Sequence, residues 1–176
     1  MELLKTIKDE DLGIKEVDIE DVEAIERETS RAIVLDENGH MPIMFVSKFN
    51  YHKLPGGGID EGETREKALV REMLEETGSE IEVFGEVGEV VEFRGKWNMK
   101  QSSYCYYGKV LSKGEPSFTE KELRYGFMIK WVPIDEAISL VENDDSDCYE
   151  GKFIKERDLT LLKKAKEFFL IDESLK

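Results

Sequence analysis

Apolar residues gather into short runs from Arg31 onward, and their spacing changes character along the chain. Ala32-Ile33-Val34-Leu35 and Ile43-Met44-Phe45-Val46 are unbroken runs that bracket Asp36-Glu37-Asn38-Gly39. An Asn-Gly pair between two such runs is a hairpin signal, so the pattern predicts a central antiparallel pair. Ile81, Val83, Val87, Val91 and Phe93 share one parity, with Glu82, Glu86 and Glu92 on the other. That alternation predicts a half-exposed strand or a bulged pair. Tyr104, Tyr106 and Val110 carry the same logic into a later strand, and the run from Phe127 to Val132 predicts another after a turn at Gly114-Glu115-Pro116-Ser117.

Helical spacing takes over elsewhere. A helix is expected from about Thr64 to Thr77, with Thr64 as N-cap and Gly78 placed for a left-handed C-terminal cap. A second helix should follow Pro133 through Val141, and a third should carry Leu159, Leu162, Ala165 and Phe169 as an apolar stripe with lysines opposite. Residues 49–63 read as a loop, with three glycines after Pro55 where the backbone needs positive φ or comes close to a ligand. The first thirty residues are charge-rich and weakly periodic, and are expected as short strand or helix pieces on the edge of the domain. Repeats, low-complexity tracts and linkers are not evident, and one domain over residues 1–176 is expected.

Charge changes the picture next. Forty acidic against 25 basic residues give a net charge of -15, which disfavours tight binding to nucleic acid or to an anionic membrane. A polyanionic substrate would need an intervening cation. Cys105 and Cys148 stand far apart without Cys or His at ligand spacing, so neither a zinc site nor a disulfide framework is suggested, and a reducing cytoplasm fits. Met1-Glu2-Leu3-Leu4-Lys5-Thr6-Ile7 lacks a signal-peptide core, and no stretch has the length to span a bilayer.

The acidic helix is where chemistry concentrates. On a wheel of about 100° per residue with Glu72 at zero, Glu75 falls near about -60° and Glu76 near about +40°. Val70, Met73, Leu74 and Thr77 lie at roughly 100° to 200°, an apolar stripe turned away from the acids. One face should pack and the other bind. Like charges at these spacings repel by about 0.2–0.5 kcal/mol per pair, so they need open solvent or a cation. Beside a glycine-rich loop, oxygen donors without Cys or His suit Mg2+ or Mn2+. Arg71 points away from both faces, and pairing with Glu63 or Glu75 would hold the loop against the helix.

Residues 57–79 resemble the signature of the Nudix hydrolase superfamily (MutT-like): Gly57, Glu63, then Arg71-Glu72-Met73-Leu74-Glu75-Glu76-Thr77-Gly78 stand at the matching positions, after a Leu54-Pro55-Gly56-Gly57 lead-in. The one departure is Ser79, where the pattern has an aliphatic residue. The resemblance implies an α/β fold, an α/β/α sandwich with a mixed central β-sheet. It also implies cleavage of a nucleoside diphosphate linked to another moiety, a small-molecule substrate, and admits a homodimer. Carried over by position, Glu72, Glu75 and Glu76 would ligate metal, with the Gly57 carbonyl as a further ligand, while Arg71 and Glu63 brace the site. The resemblance leaves the general base open: Glu72 is the first candidate, and Glu120 and Glu122 are candidates from a later charged loop.

Substrate contacts are scarcely written in the chain. Tyr51, His52, Phe93, Trp97 and Tyr104 are able to stack a base, and Arg94, Lys96 and Lys100 to reach phosphates or sugar, although core or surface roles are the default for each. A Walker-type loop is absent from the sequence. Two other readings stay open: a non-catalytic Nudix-like nucleotide sensor, and an allylic-diphosphate isomerase, which would require a positioned Cys such as Cys105.

Overall fold

A computed structural model describes residues 1–15 and 23–171. Its frame is a five-stranded mixed sheet in the order β1-β6-β7-β2-β5 and a three-stranded antiparallel sheet in the order β4-β3-β8. The strands are β1 (Leu3–Lys8), β2 (Ile25–Leu35), β3 (His40–Val46), β4 (Tyr51–Lys53), β5 (Gly56–Gly58), β6 (Ser79–Arg94), β7 (Met99–Lys113) and β8 (Phe127–Pro133). The helices are α1 (Arg65–Thr77), α2 (Glu120–Tyr125), α3 (Ile134–Glu142) and α4 (Tyr149–Ile171).

β2 explains the layering. It is buried from Thr29 to Leu35, and alternate side chains serve opposite faces, as the period of a strand requires. Ala32 and Val34 pack with Leu69 and Met73 of α1 and with Tyr104 and Tyr106 of β7. Ile33 and Leu35 face the larger cluster, which includes Val141 of α3 and Phe153, Leu161, Leu162, Ala165 and Phe169 of α4. Each buried Val, Leu, Ile, Met or Phe side chain among them contributes about 1.5–3 kcal/mol by leaving water. Helices on both faces of a mixed sheet make the α/β/α sandwich that the sequence leads one to expect.

Several local expectations are corrected. The Asp36–Gly39 turn does join β2 to β3, but the two do not form a hairpin: β2 pairs with β7 and β5, and β3 with β4 and β8. Both edges of β2 are taken, and the turn is closed by the Asp36 carboxylate, which accepts the amides of Asn38 at 2.9 Å and His40 at 2.8 Å. The chain therefore passes from one sheet to the other there. In β6, bulges against β7 at Glu80/Ile81, Val83/Gly85 and Glu86/Gly88 reset the parity. Beyond the last bulge Val90, Glu92 and Arg94 point inward while Phe93 is 42% exposed, the reverse of the simple alternation.

The termini and the charged loop also differ in part. β1 lies at the sheet edge, parallel to β6, but Ile25 to Ser30 belong to the central strand β2; residues 16–22 lie outside the described residues. α4 begins at Tyr149, well before Leu159. The segment around Glu120 is a helix, set by a capping box in which Thr119 Oγ1 accepts the Glu122 amide at 3.3 Å and Glu122 Oε2 accepts the Thr119 amide at 2.7 Å.

Candidate active site

α1 starts where Thr64 Oγ1 accepts the Lys67 amide and ends where Gly78 turns left-handed at φ 67°. Its buried residues are Ala68, Leu69, Met73, Glu76 and Thr77, whereas Val70 and Leu74 are exposed. The packing arc is thus rotated from the expected stripe and takes in Glu76. Leu69 is the reason, because it stands one turn before Met73 and anchors that arc in the cluster beneath β2. The acids do not occupy a separate solvent face. Ser79, which interrupts the signature, is buried with its hydroxyl donating to the Thr77 carbonyl at 3.4 Å.

The glycine turn is pinned to the central strand, since Gly56, Gly57 and Gly58 pair with Arg31, Ser30 and Thr29. This brings it against α1. Glu76 Oε2 accepts the Gly56 amide at 2.7 Å, and Glu76 Oε1 accepts Lys53 Nζ at 2.7 Å. Glu72 lies so close to Gly57 that a Cβ there would stand 2.4 Å from Glu72 Oε1. Burial holds the Glu72 carboxyl above the usual range, with the charge of Glu76 adding to it against the pull of Arg71 and Lys53.

Arg71 spends its whole fork on this junction. Nε and Nη2 take Glu63 at 3.0 and 2.8 Å, Nη2 also reaches the Gly58 carbonyl at 2.9 Å, and Nη1 reaches Glu72 at 2.8 Å and Glu75 at 3.2 Å. The hydrogen bonds from Arg71 hold Glu63 below the usual carboxyl range. Arg71 and Lys53 are the cations ion-paired with Glu63, Glu72, Glu75 and Glu76 among the described residues.

A cleft of about 250 Å3 opens beside this junction. Gly57, Glu72, Glu76 and Glu122 line it, as do Tyr51 and Arg94; Glu63, Arg71, Glu75 and Glu120 are not among its lining residues. Glu75, with its side chain 51% exposed, is held by Arg71, so the three helix acids do not converge. Among the described residues no group of three or more His, Cys, Asp or Glu side chains is arranged to hold a metal ion. The donor chemistry still fits a hard cation. Lys53 Nζ sits between Glu76 Oε1 at 2.7 Å and the Gly56 carbonyl at 3.3 Å, a point where acidic and carbonyl oxygens already hold one positive charge.

Some candidates fall elsewhere. His52 is buried with Nδ1 2.8 Å from Asp144 and Nε2 3.0 Å from Lys130, against the Phe45 ring, so its ring is already engaged in the smaller sheet. Tyr104 packs under α1 and donates to Glu28 at 2.6 Å. Phe93, Trp97, Lys96 and Lys100 do not line the cleft. Among the cleft residues that sequence reading overlooked are the cations Arg27, Arg31, Lys53, Lys121 and Arg157, with Gln101 and Glu150 beside them. A signal was available in α4, where Arg157 and Asp158 fall between Phe153, Ile154 and Leu161, Leu162 on the apolar stripe.

Comparison with known proteins bears on the family and the fold. A sequence model of the NUDIX domain matches residues 20–151. An RNA pyrophosphohydrolase of Helicobacter pylori (strain P12) is 41% identical over 58 residues, 32% of this chain and 37% of that protein. Nudix hydrolase 7 of Arabidopsis thaliana is 29% identical over 128 residues, 72% of this chain and 42% of that one. The chain thus matches less than half the length of either relative. The crystal structure of a MutT protein from Methanosarcina mazei Go1 superposes with a TM-score of 0.58 at 18% identity, covering 83% of this chain and 99% of that one, a likeness of fold. With the family match spanning most of its length, signature helix and glycine turn included, this chain belongs to the NUDIX domain family.

Proposed function

We propose that the chain is a divalent-cation-dependent pyrophosphohydrolase that cleaves a nucleoside diphosphate linked to another moiety. The observation that carries the reading is the junction of the glycine turn with α1, where Glu72 and Glu76 line one cleft beside the Gly57 backbone. The relative named as an RNA pyrophosphohydrolase supports the bond type. With a net charge of -15, a small nucleotide is favoured over a nucleic-acid chain.

Magnesium, with manganese as substitute, would be held by Glu72, Glu76 and the Gly57 carbonyl, with Glu75 the adjacent carboxylate on Arg71. Bound there, the ion supplies charge neutralisation for the phosphate oxygens and lowers the pKa of a water. The protein's own groups do the rest. Arg71 and Glu63 fix the loop on the helix, and Lys53 holds Glu76 in place. Glu72, half-buried in the wall of the cleft, is the first candidate for general base. Glu122 lines the cleft but spends its carboxylate on the cap of α2, and Glu120 is exposed outside it. Cys105 is buried in the core, where desolvation pushes its thiol up, so isomerase chemistry through it is disfavoured. Both cysteines are free thiols, which suits a cytoplasmic protein, and among the described residues no helix is long and apolar enough to cross a membrane.

The test is a screen of nucleoside triphosphates, dinucleoside polyphosphates, ADP-ribose and nucleotide sugars with Mg2+ or Mn2+, products being identified by mass. Glu76→Gln is run in parallel with its melting curve. Metal-dependent turnover in the wild type, lost by about a hundredfold or more in a folded variant, is expected. Full activity in the variant would overturn the site assignment, and a silent wild type would favour the sensor.

A further inference from the structure

The same cleft has a cationic part that the carboxylates do not use. Arg31, Arg94 and Arg157 are 5%, 1% and 1% exposed, and all three line the cleft. Buried guanidinium groups normally spend their donors. Here Arg31 Nε, Arg94 Nε and Nη1, and Arg157 Nη2 have no hydrogen-bond partner among the described residues.

The neighbouring anions do not close the account. Glu92 takes Arg94 Nη2 at 3.0 Å, and Asp158 takes Arg157 Nε at 2.7 Å. Those two buried carboxylates face three buried guanidinium groups, while Glu76 is occupied by Lys53. Glu150, on the rim, forms a longer ion pair with Arg94 Nη1 at 3.5 Å and has a partly exposed side chain. Arg27 adds a fourth positive charge at the mouth, hydrogen-bonded to Gln101 at 3.3 Å. Burial and the nearby charge of Arg157 lower Arg31 to about 10. Water would satisfy the open donors without offsetting the charge, whereas an oxyanion does both. The planar fork of arginine matches phosphoryl oxygens in particular.

We propose that Arg31, Arg94 and Arg157 form a metal-independent phosphoryl subsite, which receives a phosphate group of the substrate other than the one held at Glu72 and Glu76. The preferred substrates then carry a free terminal phosphate chain, as a nucleoside triphosphate does, because a neutral sugar would leave the guanidinium charge uncompensated. This last step rests on the pyrophosphohydrolase reading; anion binding does not.

The experiment is calorimetric titration of inorganic pyrophosphate into the wild-type protein in EDTA, with melting curves taken beside it. Saturable binding at one site is expected, and it should survive Glu76→Gln. Arg94→Lys and the rim variant Arg27→Ala should each weaken it by about tenfold, the scale of one charge-assisted hydrogen bond. In turnover, Arg94→Lys should lower kcat/KM for a nucleoside triphosphate by about tenfold more than for a nucleotide sugar. Absence of saturable binding in the wild type would overturn the subsite, as would wild-type affinity in whichever arginine variants fold. A protein that binds pyrophosphate in EDTA yet turns over nothing keeps the subsite and loses the hydrolase.

Discussion

Gly57→Ala separates geometry from stability. A Cβ at this position would stand 2.4 Å from Glu72 Oε1 and 2.6 Å from Cδ and Oε2, where ordinary contact begins at 3.4 Å. The carboxylate must therefore retreat by about 1 Å, and a misplacement of that size in a catalytic group costs on the order of a hundredfold in rate. Stability should move little: the obstructing atoms end a flexible side chain, Gly57 has no positive φ, and replacing glycine in a permitted conformation regains about 0.4–1 kcal/mol. Gly56→Ala is the contrast. There φ is 128° and the new Cβ would stand 2.2 Å from the Ser30 carbonyl oxygen, so about 1–3 kcal/mol of strain arises from the backbone alone. Steady-state kcat on the substrate found by screening, with urea melts of both variants, reads the two effects apart. Wild-type kcat in Gly57→Ala, or a stability loss equal to that of Gly56→Ala, would refute the reasoning.

Two other substitutions test different parts of the site and frame. Arg71→Lys keeps the charge but loses the fork that joins Glu63, the Gly58 carbonyl, Glu72 and Glu75; kcat/KM should fall by about tenfold or more. Its stability loss should be only about 1 kcal/mol, since several of these pairs meet solvent, and a fully active lysine variant would reduce Arg71 to a point charge. Asp36→Asn probes the turn between the sheets: burial raises the Asp36 carboxyl, but hydrogen bonds from Lys113 and the amides of His40 and Asn38 outweigh it and leave the pKa lowered. A depressed folded pKa contributes stability above the unfolded value near about 4, and that stability is lost as pH falls through the folded one. The variant should thus be less stable by about 1–2 kcal/mol at pH 7, with the gap in urea melts narrowing below about pH 4; a gap constant down to pH 3 would contradict it.

How legible was all this beforehand? The helix limits were readable because Thr64 and Gly78 are local signals, satisfied within one turn of chain. The signature acids were readable for the same reason. What escaped depends on partners distant in sequence. The Asn38-Gly39 pair promised a hairpin, yet β2 found its neighbours in β7 and β5. Parity in β6 is reset by bulges that exist only against β7. The apolar stripe of α1 could not be oriented without β2 above it. Arg31, Arg94 and Arg157 come from three different elements, and their meeting is visible only once α4 lies across the sheet. The capping box at Thr119 and Glu122 is equally local, but the run of charges around it reads as a loop until the helix is seen.

The position of α4 has a dynamic consequence. Its first turns present Glu150, Ile154 and Arg157 to the cleft, while its later turns set Leu161, Leu162 and Ala165 into the main core. Between the two, Asp158 Oδ2 accepts the Leu54 amide at 2.8 Å, just ahead of the glycine turn. Opening the cleft from this side would pull against the same cylinder that closes the hydrophobic centre. The amide of Leu54 should then exchange with solvent only through events as rare as global unfolding. In the proposed hydrolase, entry beside α2, whose Lys121, Glu122 and Tyr125 line the cleft, would leave the core undisturbed, whereas displacing α4 would break it.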